Sequence, residues 1–141
     1  YSGNPFGDDE CGKYYARAMS VWSALIACQG LIYDGPAGIV GFKPVWKPED
    51  HVSFFTGAKG YGLFTQKRTK SVQTDRIEVR FGELEVKSLL FEVGPQASAV
   101  AVKIAGKPVK VKHSLEQGSL TIELPARMTL RKGQAIEVAV R

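Results

Sequence analysis

The chain has 141 residues, a size for one domain or one and a half, with enough length for a real core. Hydrophobic residues make up 44% and charged residues 23%, which excludes a disordered chain. The net charge of +5 is uneven: residues 1–42 carry Lys13 and Arg17 against Asp8, Asp9, Glu10 and Asp34, while basic residues dominate 43–141. A nucleic-acid surface needs clustered cations. Here the cations alternate with acids along strand-like segments such as "DRIEVRFGELEVK", so no nucleic-acid partner is expected.

In chain order, residues 9–30 read as one helix. Asp8, Asp9 and Glu10 fall at its start, where carboxylates favour the positive end of the helix dipole. Gly30 suits the stop. Between Tyr14 and Cys28 the only polar side chains are Arg17, Ser20 and Ser23. A helix apolar on nearly every face is expected to be buried in a large protein, so further polypeptide is expected to pack around it. The chain also starts without Met, and it reads as a piece of a longer or processed product. The apolar run is too short to span a membrane and holds Arg17. If Cys11 and Cys28 share this helix they stand ~25 Å apart, beyond the ~7 Å that a disulfide tolerates. Neither has metal-site spacing with His51 or His113, and no metal or cofactor is expected.

The connector "YDGPAGIVGFKPVWKPED" is rich in Gly and Pro. Beyond it the period changes to two. "HVSFFTG" and "YGLFTQKR" read as strands around a hairpin turn in "GAKGYG". "DRIEVRFG" places Ile77, Val79 and Phe81 on one face. "ELEVKSLLFEV" places Leu84 and Val86, then Leu89, Phe91 and Val93. "AVAVKIAGKPVKVK" reads as a hairpin turning at Ala105-Gly106. Leu120, Ile122 and Leu124, then Ile136, Val138 and Val140, mark two further strands separated by "RKGQ". Short strands between Gly-containing turns argue for an antiparallel sandwich. His51 and His113 are expected at exposed positions.

No nucleophile–base motif, zinc-binding helix or phosphate loop is present. The informative constellation is N-terminal. Arg17 on the helix and Asp8 at its start suit a sugar diol, the guanidinium donating in a fork and the carboxylate accepting. An ordinary helix-end ion pair uses the same residues, and either reading gives Arg17 a partner. Tyr14, Tyr15 and Trp22 form either a sugar-stacking platform or, as favoured for aromatics on an apolar helix, part of a core. Trp46, Tyr61 and Phe64 form either a sugar-stacking platform or, as their apolar neighbours suggest, core positions.

"NPFGDDECGKYYARAMSVWSAL", followed by "GLIYDGP" and "GFKP", resembles the last helical part of glycoside hydrolase family 116, the bile-acid β-glucosidase or non-lysosomal glucosylceramidase family. The likeness is dense over residues 4–22 and looser to about 45. It implies a retaining β-glycosidase on an (α/α)6 barrel, whose nucleophile and acid/base carboxyls lie upstream and match no residue here. It places the family's sugar-binding carboxylate and arginine on Asp8 and Arg17, with Asp8 standing where the family more often has Glu. With it, contact of Arg17 with the sugar becomes the favoured reading.

The expected fold is therefore an α+β fragment: an N-terminal buried helix belonging to an (α/α)6 barrel, then a mainly antiparallel β-sandwich. Its parts are 1–35 (barrel helix), 36–50 (connector) and 51–141 (sandwich). The expected function is the C-terminal part of a retaining β-glycosidase, inactive alone, partnered by the upstream remainder of the catalytic polypeptide and a β-glycoside. The rival is a non-catalytic β-sandwich module for carbohydrate binding or interaction.

Overall fold

A computed structural model describes residues 15–94 and 97–141, with side chains from residue 20 onward. Helix α1 spans Tyr15–Gln29. It is followed by strands β1 (Leu31–Asp34), β2 (Ile39–Phe42), β3 (Asp50–Gly57), β4 (Gly60–Arg68), β5 (Gln73–Glu92), β6 (Val100–Ile104), β7 (Lys107–Val109), β8 (Lys112–Glu116), β9 (Ser119–Arg131) and β10 (Ala135–Val140).

The strands form two layers that share β5. Its first half pairs with β4 and β10, extending one sheet to β3 on one side and to β6 and β7 on the other. Its second half pairs with β9 and, in parallel, with β2, extending the other sheet to β8 and β1. Every other pairing is antiparallel, as the alternation of the sequence predicts. Between the layers Phe42 stacks on Phe64 with ring centroids 3.9 Å apart, and Phe55 and Phe91 close the cluster. Ile77, Leu89, Ile122 and Ile136 fill the remaining centre and are fully buried. Burial on both inner faces is the source of sandwich stability.

At Gly82 β5 passes from one layer to the other. This glycine has φ 68°, and an added Cβ would run into the Lys59 carbonyl. Phe81, just before the bend, is turned out and is 58% exposed rather than continuing the Ile77–Val79 face. The Ala105-Gly106 hairpin forms as expected, with both residues at positive φ. The "GAKGYG" stretch is the β3–β4 turn, closed by the Gly57–Gly60 pair.

The expected helical architecture is corrected. Among the described residues there is one 15-residue helix, and no second helix stands beside it to build an (α/α)6 barrel. Nor is α1 buried: Val21, Trp22 and Ile26 are 64%, 59% and 51% exposed. Its apolar composition reports what it is able to bury, and among its described side chains, from residue 20 on, only those at the C-terminal end are covered. The region read as connector already carries β2, and β1 begins directly after the helix. The fold is a β-rich sandwich with a single helix at one edge.

Replacing Phe64 by Ala is expected to destabilise the chain by about 3–5 kcal/mol, through the cavity left under Phe42. Phe81→Ala is expected to cost less than about 1 kcal/mol. Urea denaturation of the two variants checks the contrast.

Candidate functional site

Of the two predicted sugar-binding residues, Asp8 lies outside the described residues. Arg17 sits in the first turn of α1, and its side chain also lies outside them. Cys11 and Tyr14 lie outside likewise. What is described is how the other end of the helix is held and what surface it creates.

Gly30 ends α1 in the left-handed conformation, φ 57°, where an added Cβ would strike the Lys43 backbone. The helix end is tied to the β2–β3 connector: the N–H groups of Val45 and Trp46 donate to Cys28 O at 3.1 and 3.4 Å, and Lys43 N–H donates to Gly30 O at 3.0 Å. Below lies a buried side-chain relay. His51 Nδ1 is 2.8 Å from Trp46 O, His51 Nε2 is 2.9 Å from Ser53 Oγ, and Ser53 Oγ is 2.8 Å from the Gln29 amide. His51 is 2% exposed, contrary to the exposed position expected for it, whereas His113 is exposed. Ser53 donates its hydroxyl proton to Gln29 Oε1, and the two ring nitrogens of His51 tie Ser53 to the Trp46 carbonyl. The relay latches helix to sheet.

Above it opens an apolar groove of about 460 Å³, walled by Ala24, Leu25 and Cys28 of the helix, Trp46 of the connector, and Val52 and Phe54 of β3. Its surroundings are apolar too, since Val21, Trp22, Ile26 and Val45 are all exposed. Trp46 is itself exposed and carries Lys47 Nζ 5.1 Å from its ring centroid. Tyr61, 50% exposed, stacks on Phe81 with centroids 5.5 Å apart. Of the three aromatics considered for a platform, Trp46 and Tyr61 are therefore outside the core and Phe64 is inside it. Trp22, expected in a core, is exposed. The missed partner, Phe81, is signalled in sequence only by its position beside Gly82.

A second polar constellation lies in the core. The register aligns His51 with Gln66, Gln66 with Asp75, and Asp75 with Val138, so one row across the inner face is polar. Gln73 Nε2 donates to Asp75 Oδ2 at 2.9 Å and to Glu92 O at 2.9 Å, and stands 3.3 Å from Gln66 Oε1. Arg68 Nε donates to Gln73 Oε1 at 2.8 Å. Asp75 is 1% exposed and its Oδ1 has no partner. Burial pushes its pKa from 3.8 up to about 7, against the opposing pull of the Gln73 hydrogen bond and the Arg68 charge.

A proton-donating catalytic carboxyl needs a raised pKa and access to substrate. Asp75 has the first but is sealed in the core. Glu85 is accessible, but its hydrogen bonds from Lys59 and Arg127, and the charge of Lys59, hold it below the usual carboxylate range. Among the described residues no three His, Cys, Asp or Glu side chains gather as a metal site, and no helix is long and apolar enough to cross a membrane.

No protein-family model matches the chain. No curated protein matches it. Glycoside hydrolases are among the solved structures that resemble it. One is an α-L-rhamnosidase from Dictyoglumus thermophilum (12% identity, TM-score 0.47, covering 88% of this chain and 13% of the other). Another is a GH127 β-L-arabinofuranosidase from Geobacillus stearothermophilus T6 (12%, 0.47, 93% and 19%). A third is described as a glycoside hydrolase (16%, 0.43, 71% and 16%). The chain thus spans under a fifth of the length of each.

Because the folded pKa of Asp75 exceeds its unfolded value, the folded state holds the extra proton between about pH 4 and 7. The contribution of Asp75 to stability is fully present below about 4 and is lost as pH rises through 7, by at most ~1.4 kcal/mol per unit. Asp75→Asn is expected to be more stable than the parent at pH 8 and to flatten the slope between pH 5 and 8. Parallel curves for the two proteins in denaturant titrations across that range would refute this.

Proposed function

We propose that this chain is the C-terminal part of a retaining β-glycosidase of the β-glucosidase or glucosylceramidase type. In this reading Asp8 and Arg17 bind sugar hydroxyls, and the catalytic carboxyls lie on upstream polypeptide. Two features support it: the dense likeness to family 116 over residues 4–22, and the exposed apolar side chains of α1 beside the groove under Trp46. The second carries the reading. Val21, Trp22 and Ile26 face water here, and a soluble chain rarely leaves a contiguous apolar patch of this kind without a partner. The remainder of the enzyme is the partner proposed for α1, with the Gln29–Ser53–His51 latch fixing the angle at which the sandwich presents it.

The test is made in the complete enzyme. Arg17→Ala is expected to lower kcat/KM on a β-glucoside by about 10–100-fold, the worth of one or two hydrogen bonds to a charged group. Asp8→Glu is expected to retain turnover, since it restores the residue more frequent in the resembled family. Unchanged turnover in Arg17→Ala would sink the assignment of a sugar contact.

The exposed Tyr61–Phe81 pair favours a second reading, a non-catalytic module that holds carbohydrate on aromatic faces. If that reading holds, Tyr61→Ala removes retention on polysaccharide while turnover stays unchanged.

A further inference from the structure

At the end of the sandwich where β4 hands over to β5, a cleft of about 410 Å³ opens between the 69–72 turn and the last residues of β10. Its floor is apolar, with Val93 and Val140 buried beneath it. Its rim carries Arg68, Lys70 and Arg141, and Ser71 also lines it. We propose that this cleft binds a small molecule bearing an oxyanion, whether carboxylate, sulfate or phosphate.

The rim cations form no ion pair among the described residues, and only Arg68 also acts, at longer range, on buried Asp75. The described ion pairs are made by Lys59, Lys67, Arg76, Arg80, Arg127 and Arg131, and none involves Arg68, Lys70 or Arg141. Arg68 is not a free surface arginine. Its Nε is spent on Gln73 Oε1 at 2.8 Å and its Nη2 on Glu92 O at 2.9 Å. Those two bonds set the plane of the guanidinium and leave three of its five N–H donors unused. A fork already held in place binds an anion without the loss of side-chain freedom that a swinging cation suffers. Gln73 is in turn fixed by Asp75 and Gln66 in the core, so the cationic edge rests on the buried polar row. At Arg141 the main-chain oxygen is taken by Ser98 N–H at 2.6 Å, Ala99 N–H at 3.0 Å and the Ser98 hydroxyl at 3.1 Å, which holds this cleft-lining residue's backbone. The Thr69 hydroxyl and the Val72 N–H and carbonyl close the 69–72 turn on itself, so Lys70 and Ser71 project from an ordered loop. The volume admits a ligand of monosaccharide size as well as a bare ion.

The experiment is a titration of the 141-residue chain with sulfate, phosphate, glucuronate and neutral glucose at constant ionic strength, followed by backbone amide NMR. The expected result is saturable shifts at residues 68–72, 93, 94 and 141 with the three anions and none with glucose. Lys70→Glu is expected to weaken binding by about tenfold or more, as reversal of one charge-assisted contact demands. Lys132→Glu, on the turn at the far end of β10, is expected to leave it unchanged. Tighter binding of glucuronate than of sulfate would identify an acidic saccharide as the ligand, and the reverse order a free inorganic oxyanion. Unsaturable shifts, equal losses in the two lysine variants, or binding of glucose as strong as that of glucuronate would each overturn the proposal.

Discussion

The architecture depends on β5 belonging to two sheets at once. Its 20 residues reach further than one sheet layer needs. The left-handed Gly82 lets the strand turn out of one layer and into the other without breaking the chain of hydrogen bonds. Both sheets are therefore registered to the same backbone, which brings Phe42 of one directly onto Phe64 of the other. Damage at the bend would reach both layers, whereas the β6–β7 hairpin hangs from β10 alone.

Apart from Gln29, the buried polar groups gather on three neighbouring strands of one sheet. His51, Gln66, Gln73 and Asp75 lie near the ends of β3, β4 and β5, and each is buried. At one side this layer secures α1 through Ser53 and Gln29. At the other it positions Arg68 at the rim of a cleft. Two sets of buried hydrogen bonds on neighbouring strands thus support the two surfaces for which partners are proposed, and Asp75, with one oxygen unpaired, is the weakest member of the second.

The strands were legible because alternation survives in them: Leu84, Val86, Leu89, Phe91, Leu120, Ile122 and Leu124 are all inward, as their spacing requires. The apolar parity along β5 nonetheless changes twice, from odd to even numbers after Val79 and back again after Val86. The second change coincides with a register shift between Val86 and Ser88. The first coincides with a register shift opposite Tyr61 and Gly62, where Arg80 is the extra residue just before the passage between sheets, and it misplaced Phe81. In β3 both parities are apolar (Val52 and Phe54 against Phe55), so period two could not choose a face, and the inward face proved to be the one with His51 and Ser53. The Gln29–Ser53–His51 relay was illegible for the same reason that most polar cores are: it joins positions 24 residues apart through a helix end and a strand. Helix α1 was legible as a helix but not as an exposed one, because composition carries no information about what covers a surface. The likeness over residues 4–22 pointed to Asp8 and Arg17, and the described side chains begin beyond both.

The chain contains two tryptophans, Trp22 and Trp46. Both stand on the outward side of the α1 edge, and neither belongs to the cluster between the sheets. Tryptophan emission in this protein is consequently a probe of the α1 edge. It would register an approaching partner through desolvation of the indoles while remaining nearly blind to loosening of the sandwich interior, which only the tyrosines, phenylalanines and backbone signals can report.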